Sequence, residues 1–382
     1  VGNRKNPVAL GAKLVSERWR LALGIYAIIV CIGLLPAWLL LFAAETLSGR
    51  LAGLIPVLLA AWIPSLLILR RTRHLIWIPI LIVGFIALGS SAMLVMTPDG
   101  QTPPDAPVRS VFLKGEFDRW SVANVVPEVD QLKLGTYLVP FVDPFIDRAQ
   151  AARLRGLVLD QYRDMNEDQA FPPLGSVMGF AYADRDVGHL YVFAPPGGTS
   201  NRPVLIFLHG SGGSFKAYFH IFYELAKGQN MVLVCPSFGF GNWHQAGGVE
   251  AIDRAYEYAT GPLGGSPDRV YLAALSNGGR GATRALAAHP DRYAGVVFVS
   301  AVMEPLIIGS ARHDGTPTLV FHGAKDRRIP MTYADLGIQA LRSAGADVTV
   351  RVWPGEDHFL LFSQEPAVRE EIVGWMLSVS SN

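Results

Sequence analysis

Three stretches of the chain, residues 21–44, 51–69 and 75–96, are apolar without a single Lys or Arg between their ends. Each is long enough for a helix to cross a hydrocarbon core, which takes about 20 residues. A helix on the surface of a soluble domain shows a polar face every turn, and these do not. Three in succession also differ from a cleavable leader, which has one apolar core. The expectation is a membrane domain over 1–96 with three transmembrane helices. Arg4, Lys5, Lys13, Arg18 and Arg20 precede the first stretch and Arg70, Arg71 and Arg73 fill the second turn, whereas the first turn carries only Arg50. Positive charge marks the cytoplasmic side. The N-terminus and the second turn are therefore expected in the cytoplasm, and everything after Met96 on the opposite side.

Beyond Met96 the pattern changes. Residues 97–107 are polar and rich in proline, an extended linker. Residues 108–173 form a membrane-proximal segment with a short strand at 110–113. It also holds an amphipathic helix near 145–165, where Ile146, Leu154, Leu157 and Val158 recur among Arg and Asp. That pattern suits a helix lying on the following domain or on the membrane surface, docking on its own domain being preferred, and either placement could shade the site. From 174 onward, 177–183 and 189–193 alternate as a leading antiparallel pair. Mainly apolar runs follow at 204–208, 231–235, 270–275, 296–300 and 318–321, and a last strand is expected at 348–352. Such runs are strands buried on both faces, and helical stretches between them predict a mostly parallel sheet flanked by helices over 174–382. The interval between residues 300 and 318 is too short for a helical lid.

The chemistry sits where these strands end. The run at 270–275 drives into Ser276, with Ala274 and Gly278 on either side, so a strand hands a serine to a helix through a turn of small residues. The run at 204–208 ends in His209-Gly210-Ser211-Gly212-Gly213, a loop able to aim backbone N–H groups at an oxyanion. The expected donors are Ser211 or Gly212 together with Asn277, the residue after the serine. The run at 318–321 leads to Asp326, and that at 348–352 to His358. A serine hydroxyl becomes nucleophilic when an imidazole takes its proton and a carboxylate orients that imidazole. Glu356 and Asp357 adjoin His358 in sequence, where a side chain seldom reaches its neighbour's ring, so Asp326 is the preferred acid. His322 reads as a strand-end structural residue, Cys235 as a buried strand residue, and Ser300 lacks the following glycine and helix start. Trp243 and His244 are candidates for the wall of a substrate pocket, and Arg280, Arg327 and Arg328 for contacts to an anionic substrate group. The glycine-rich loop lacks the Lys-Ser/Thr of a phosphate-binding loop, and the nine histidines show no metal-ligand spacing. Neither a metal nor another cofactor is expected.

The order Ser276, Asp326, His358 is that of α/β-hydrolases. From about residue 195 to the end, the chain resembles that superfamily. The segment Ser266-Pro267-Asp268-Arg269-Val270-Tyr271, the serine turn Leu275-Ser276-Asn277-Gly278-Gly279 and the following His289-Pro290-Asp291-Arg292-Tyr293-Ala294-Gly295 are similar to the polyhydroxybutyrate-depolymerase and feruloyl-esterase branch and to prolyl-oligopeptidase-type hydrolases. The resemblance implies an α/β-hydrolase fold and a serine esterase or peptidase with nucleophile Ser276, acid Asp326 and base His358. The departure is Ala274, where those families usually carry glycine. Nothing in the resemblance reaches the first hundred residues.

Half of the residues are hydrophobic and the mean hydropathy is +0.28, high for a chain that includes a full soluble domain. A net charge of +1, with no basic stripe outside the membrane flanks, excludes a nucleic-acid footprint. Cys31 and Cys235 are too different in setting to pair, and an exported domain without a disulfide fits a bacterial periplasm at least as well as an animal extracellular space. The chain opens on Val1, and a few cytoplasmic residues are expected to precede it. Taken together, the expectation is a multi-pass inner-membrane serine hydrolase whose catalytic domain is periplasmic and cleaves small-molecule or lipid-like carboxylic esters through an acyl-enzyme. The alternatives are a peptidase or acyltransferase with the same triad, or a silent hydrolase-fold scaffold.

Overall fold

In the central strands, successive residues face opposite sides and both sides are apolar, which is why these segments read as unbroken hydrophobic runs. Leu205 and Phe207 join one core with Leu233, Ala273 and Phe321, while Val204, Ile206 and Leu208 join a second with Val234, Leu272 and Phe298. The computed structural model describes residues 21–69, 72, 75–100, 102–178 and 188–380. The basic residues on which the membrane orientation rests, Arg50 apart, lie outside that description, as does most of the predicted strand 177–183. The chain divides into two units, Val1–Thr97 and Pro98–Asn382.

Among the described residues of the first unit, two helices are each long and apolar enough to cross a membrane, Leu47–Leu66 and Trp77–Met96. The stretch predicted as the first span consists of two helices, Leu21–Gly33 and Leu35–Ala43, bent by 61°, which together are apolar enough for one broken span or a re-entrant loop. Pro36 lies in the first turn of the second piece. Proline has no N–H to continue the ladder and crowds the carbonyl four residues back, so the helix restarts there. Gly53 allows the next helix to pack closely, since a Cβ at that position would lie 2.4 Å from the Ala37 carbonyl oxygen. Small residues serve helix packing in this way where lipid removes the usual hydrophobic drive.

The second unit is built on eight strands: β1 Val108–Phe112, β2 His189–Phe193, β3 Val204–Leu208, β4 Val232–Pro236, β5 Val270–Leu275, β6 Gly295–Val299, β7 Pro317–Gly323 and β8 Asp347–Trp353. Their spatial order is β1-β2-β4-β3-β5-β6-β7-β8. The first two are antiparallel additions, β1 to β2 and β2 to β4, and the rest run parallel. The predicted partner of β2 is thus corrected. Val108 pairs with Phe193, so the sheet begins well before residue 174, and Val177–Met178 pairs instead with Gly213–Ser214. Alternation marks a strand but does not say which strand it meets.

Helices α1 Lys216–Gly228 and α2 Glu365–Ser380 supply Phe219, Phe222, Val368 and Ile372 to the first core. Helices α3 Gly248–Thr260, α4 Gly278–Ala288 and α5 Met331–Ser343 supply Ile252, Ala282, Leu286 and Ile338 to the second. Each fully buried large apolar side chain contributes about 1.5–3 kcal/mol.

Two further helices, α6 Glu128–Val142 and α7 Arg148–Glu167, pack on this body. A capping box starts α7: Asp147 Oδ1 accepts from the Gln150 N–H at 2.9 Å, and Gln150 Oε1 from the Asp147 N–H at 3.1 Å. Val158, Tyr162 and Met165 then dock with Ala217 of α1. Glu128, buried at the start of α6, accepts from the Ser176 hydroxyl and the Lys216 N–H, both at 2.6 Å, and from the Tyr162 hydroxyl. One carboxylate therefore ties α6, α7 and α1 together.

Candidate active site

Parallel strands that end at one edge place the loops after them in a common crevice. Ser276 stands between β5 and α4 with φ of +50°, in the left-handed region that a residue with a Cβ rarely adopts. The turn is held by the Ser276 N–H donating to the Val299 carbonyl at 3.2 Å and by the Val302 N–H donating to the Ser276 carbonyl at 2.9 Å. It also needs space. A Cβ on Gly278 would come within 2.3 Å of the Leu208 carbonyl oxygen, and one on Gly210 within 3.1 Å of the Ser276 Cβ. Ala274, by contrast, sits fully buried between Leu208 of β3 and Phe298 of β6, where its methyl is accommodated.

His358 follows β8, and its Nε2 lies 3.0 Å from Ser276 Oγ while its Nδ1 lies 2.8 Å from Asp326 Oδ2. With Nδ1–H donating to Asp326, Nε2 offers its lone pair to the serine hydroxyl. Asp326 Oδ1 accepts from the N–H groups of Arg328 and Ile329, each at 2.9 Å. Burial by itself pushes the Asp326 pKa up. The hydrogen bond and charge of His358, the Ile329 N–H and His322 outweigh this and hold it below the ordinary value. The carboxylate is thus ionised at neutral pH.

The rival acids are turned elsewhere. Glu356 bonds Arg153, Ser363 and Gln364, and Asp357 accepts from the Phe359 N–H. His322 Nε2 donates to the Ile329 carbonyl at 2.8 Å, and Cys235 is buried in β4, which pushes its thiol well above the ordinary range.

In the loop after β3, the Asn277 side-chain amide donates to Ser211 Oγ at 2.7 Å, bringing the two expected oxyanion donors side by side. The backbone N–H groups of Ser211 and Asn277 bond to no carbonyl among the described residues. Gly212, the alternative, is corrected: its N–H donates to the Phe240 carbonyl at 3.0 Å. His209, which sequence reasoning passed over, holds this loop. Its Nδ1–H donates to the Gly210 carbonyl at 2.8 Å and its Nε2 accepts from the Phe238 N–H at 3.0 Å. Burial lowers its pKa to about 4.

Trp243 is also corrected. It is fully buried, stacked on Phe238, and donates from Nε1 to the His209 carbonyl at 2.9 Å, so it supports the loop from behind. His244 is exposed and away from the cavity. Arg280 pairs with Glu304 and Arg328 with Asp143, while Arg327 faces a separate surface hollow beside Asp147 and Arg153.

Ser276 and His358 open onto a cavity of about 260 Å³. Its far wall comes from the two added helices and the turn between them: Leu132, Thr136 and Val139 of α6, Ile146, and Leu154 and Val158 of α7. The predicted amphipathic helix does dock on its own domain and, with α6, roofs the site. No group of metal-ligand side chains lies within the cavity among the described residues. The arrangement can activate a serine, stabilise an oxyanion and hold an apolar group.

The strand order together with a serine on the turn after the central strand makes the second unit an α/β-hydrolase fold. No protein-family model matches the chain, and no curated protein does. Among solved structures it is similar to EstE1, a thermostable carboxylesterase cloned from a metagenomic library. The TM-score is 0.41 at 16% identity over 50% of this chain and 84% of that one. A hyperthermophilic esterase from the archaeon Pyrobaculum calidifontis has a TM-score of 0.41 at 18% identity, covering 50% and 81%. A Klebsiella pneumoniae protein provisionally described as a dienelactone hydrolase has a TM-score of 0.43 at 18% identity, covering 50% and 92%.

Proposed function

We propose that the protein is a membrane-anchored serine hydrolase that cleaves carboxylic esters with an apolar acyl part. The observation that carries this reading is the chain of hydrogen bonds from Asp326 through His358 to Ser276 at the floor of an apolar, roofed cavity. In this reading His358 Nε2 takes the Ser276 proton as Oγ attacks the ester carbonyl. The imidazolium is stabilised by Asp326, and the developing oxyanion is held by the N–H groups of Ser211 and Asn277. His358 then returns the proton to the departing alcohol, leaving an acyl-serine. Water, deprotonated by the same imidazole, attacks the acyl carbonyl and releases the acid.

The cavity favours small or acyl-chain substrates over an extended peptide, which needs an open groove with polar partners for its backbone. The two apolar helices of the first unit support the membrane anchor, and the basic flanks identified in the sequence support a reading in which the catalytic unit lies outside the cytoplasm.

The test is labelling of the detergent-solubilised full chain with a fluorophosphonate, wild type beside Ser276→Ala, followed by a p-nitrophenyl ester series. Labelling of the wild type that vanishes in the variant, with matching loss of ester turnover, is the expected result. Equal labelling of both proteins, or none of the folded wild type, would remove Ser276 as an activated nucleophile.

A further inference from the structure

Away from the cavity, on the outer side of the docked cover, His220 of α1 has an unusual environment. It is 5% exposed, yet its Nε2 has no hydrogen-bond partner. Asp168, the residue that ends α7, directs Oδ2 toward it at 3.7 Å, and that oxygen too is shut from solvent and unbonded. The separation is too long for a hydrogen bond. It is a natural spacing for two ligands of one ion, since bonds of 2.0–2.2 Å set tetrahedral ligands about 3.3 Å apart. Glu224, one helical turn beyond His220 on the same face of α1, brings a third ligand atom, and all three lie within 4.8 Å of one another.

An outer partner for the imidazole comes from the cover helix. His220 Nδ1 is 3.0 Å from the side-chain amide of Gln161 on α7. An amide turned with its oxygen toward Nδ1–H leaves the Nε2 lone pair directed at the two carboxylates, and the choice between amide orientations is made by what the imidazole binds.

The surroundings already attract a cation. Lys227 Nζ lies 2.8 Å from Glu224 and 3.7 Å from Asp168, on a side chain that is 45% exposed and free to turn toward water. Arg369 reaches Glu224 at 4.0 Å, and Asp164 and Glu365 line the same hollow.

We propose that Asp168, His220 and Glu224 form a divalent transition-metal site, best matched to Zn²⁺, that cross-links the cover helix α7 to helix α1 of the hydrolase body. One imidazole nitrogen with two carboxylates suits Zn²⁺ better than Ca²⁺ or Mg²⁺, which prefer all-oxygen shells. The fourth position is left to water. Such an ion displaces the Lys227 ammonium and holds the end of α7 against α1, so it acts on the cover, not on the chemistry at Ser276.

The test uses the full chain in detergent, stripped with a chelator, dialysed and titrated with ZnCl₂. Thermal unfolding and bound zinc per chain are the readouts, both independent of ester hydrolysis. The expected result is one zinc per chain and a rise of about 5 °C in midpoint at a hundredfold excess over Kd. Glu224→Gln, at a half-buried position, should weaken binding at least tenfold, and His220→Ala should abolish it. Lys227→Met should tighten binding several-fold by removing the competing ammonium. If His220→Ala does not fold, Glu224→Gln and Lys227→Met decide. No zinc-dependent shift, an equal or larger shift with Ca²⁺, or a zinc response unchanged in Glu224→Gln and Lys227→Met would overturn the site.

Discussion

Arg328 Nη2 lies 2.9 Å from Asp143 Oδ2, while the Arg328 backbone N–H donates to Asp326 Oδ1 at the same distance. The loop that carries the acid of the candidate triad is therefore tied to the end of cover helix α6 by one residue. The arginine side chain is 34% exposed and solvent screens the ion pair, so its contribution to global stability is small, about 1 kcal/mol or less. Its effect should fall on the cover. Asp143→Asn is expected to raise KM for a long-chain p-nitrophenyl ester about three- to fivefold and to change kcat for the acetate less than twofold. Steady-state kinetics on the two substrates checks this; equal losses on both would show that the pair does not act through the cavity roof.

In the proposed mechanism Asp326 orients His358 and stabilises its charged form, so replacing it by an isosteric amide should spare the fold and not the rate. Asp326→Asn is expected to lower kcat by about 10³–10⁴-fold, because the amide can turn its NH₂ toward Nδ1 and favour the wrong imidazole tautomer. Circular dichroism should be unchanged. Retention of more than a tenth of wild-type turnover would count against Asp326 as the acid.

The serine turn carries Ala274 where the families it resembles usually have glycine, and the sheet leaves room for its methyl. Ala274→Gly should therefore give no gain in activity and should cost about 1–2 kcal/mol, from a lost buried methyl and a looser strand. Gly278→Ala should be worse, about 2–3 kcal/mol with most of the activity lost, since its Cβ would press on the Leu208 carbonyl. Urea unfolding of the two variants gives the comparison, and the opposite ranking would show that the tight point of the turn has been misplaced.

Two buried histidines set an acid limit to stability. Burial lowers His189 to about 3, and its ring nitrogens are engaged by Ser110 and Ser237. His209, lowered to about 4, loses its contact to the Phe238 N–H when protonated. Both bind a proton more readily in the unfolded chain, whose histidines titrate near 6.5. Unfolding is therefore favoured as pH falls below 6.5, and stability is fully present above it. Down to pH 4 each group should cost about 1.4 kcal/mol per pH unit. Stability measured from pH 7 to 4 should fall along this slope, and His189→Asn should flatten it. A curve level to pH 4 would contradict the assignment.

Much of this architecture was legible in local pattern. The run at 204–208 is apolar at every position, which marks a strand covered on both faces, and Ser276, Asp326 and His358 each stand past the end of a β-type run in chain order. The added helices were half legible: Leu154 and Val158 mark α7 as amphipathic, but nothing marks Leu132 and Val139 of α6 as the far wall of a cavity. Trp243 looked like a loop residue, and its place in the core depends on His209 and Phe238 meeting it from other segments. Pro36 was visible in the first apolar stretch, but hydropathy alone does not register the bend it causes.

By itself the sequence determined which segments are strands, which stretches are apolar enough for a membrane, and where strand ends deliver chemically able side chains. Those properties follow from the period of side-chain directions along one chain segment. The tertiary structure decided that β1 joins β2, that α6 and α7 roof the cavity, and that Asp168 meets His220 and Glu224 from another helix. These depend on contacts between residues far apart in the chain, whose partners no local periodicity encodes.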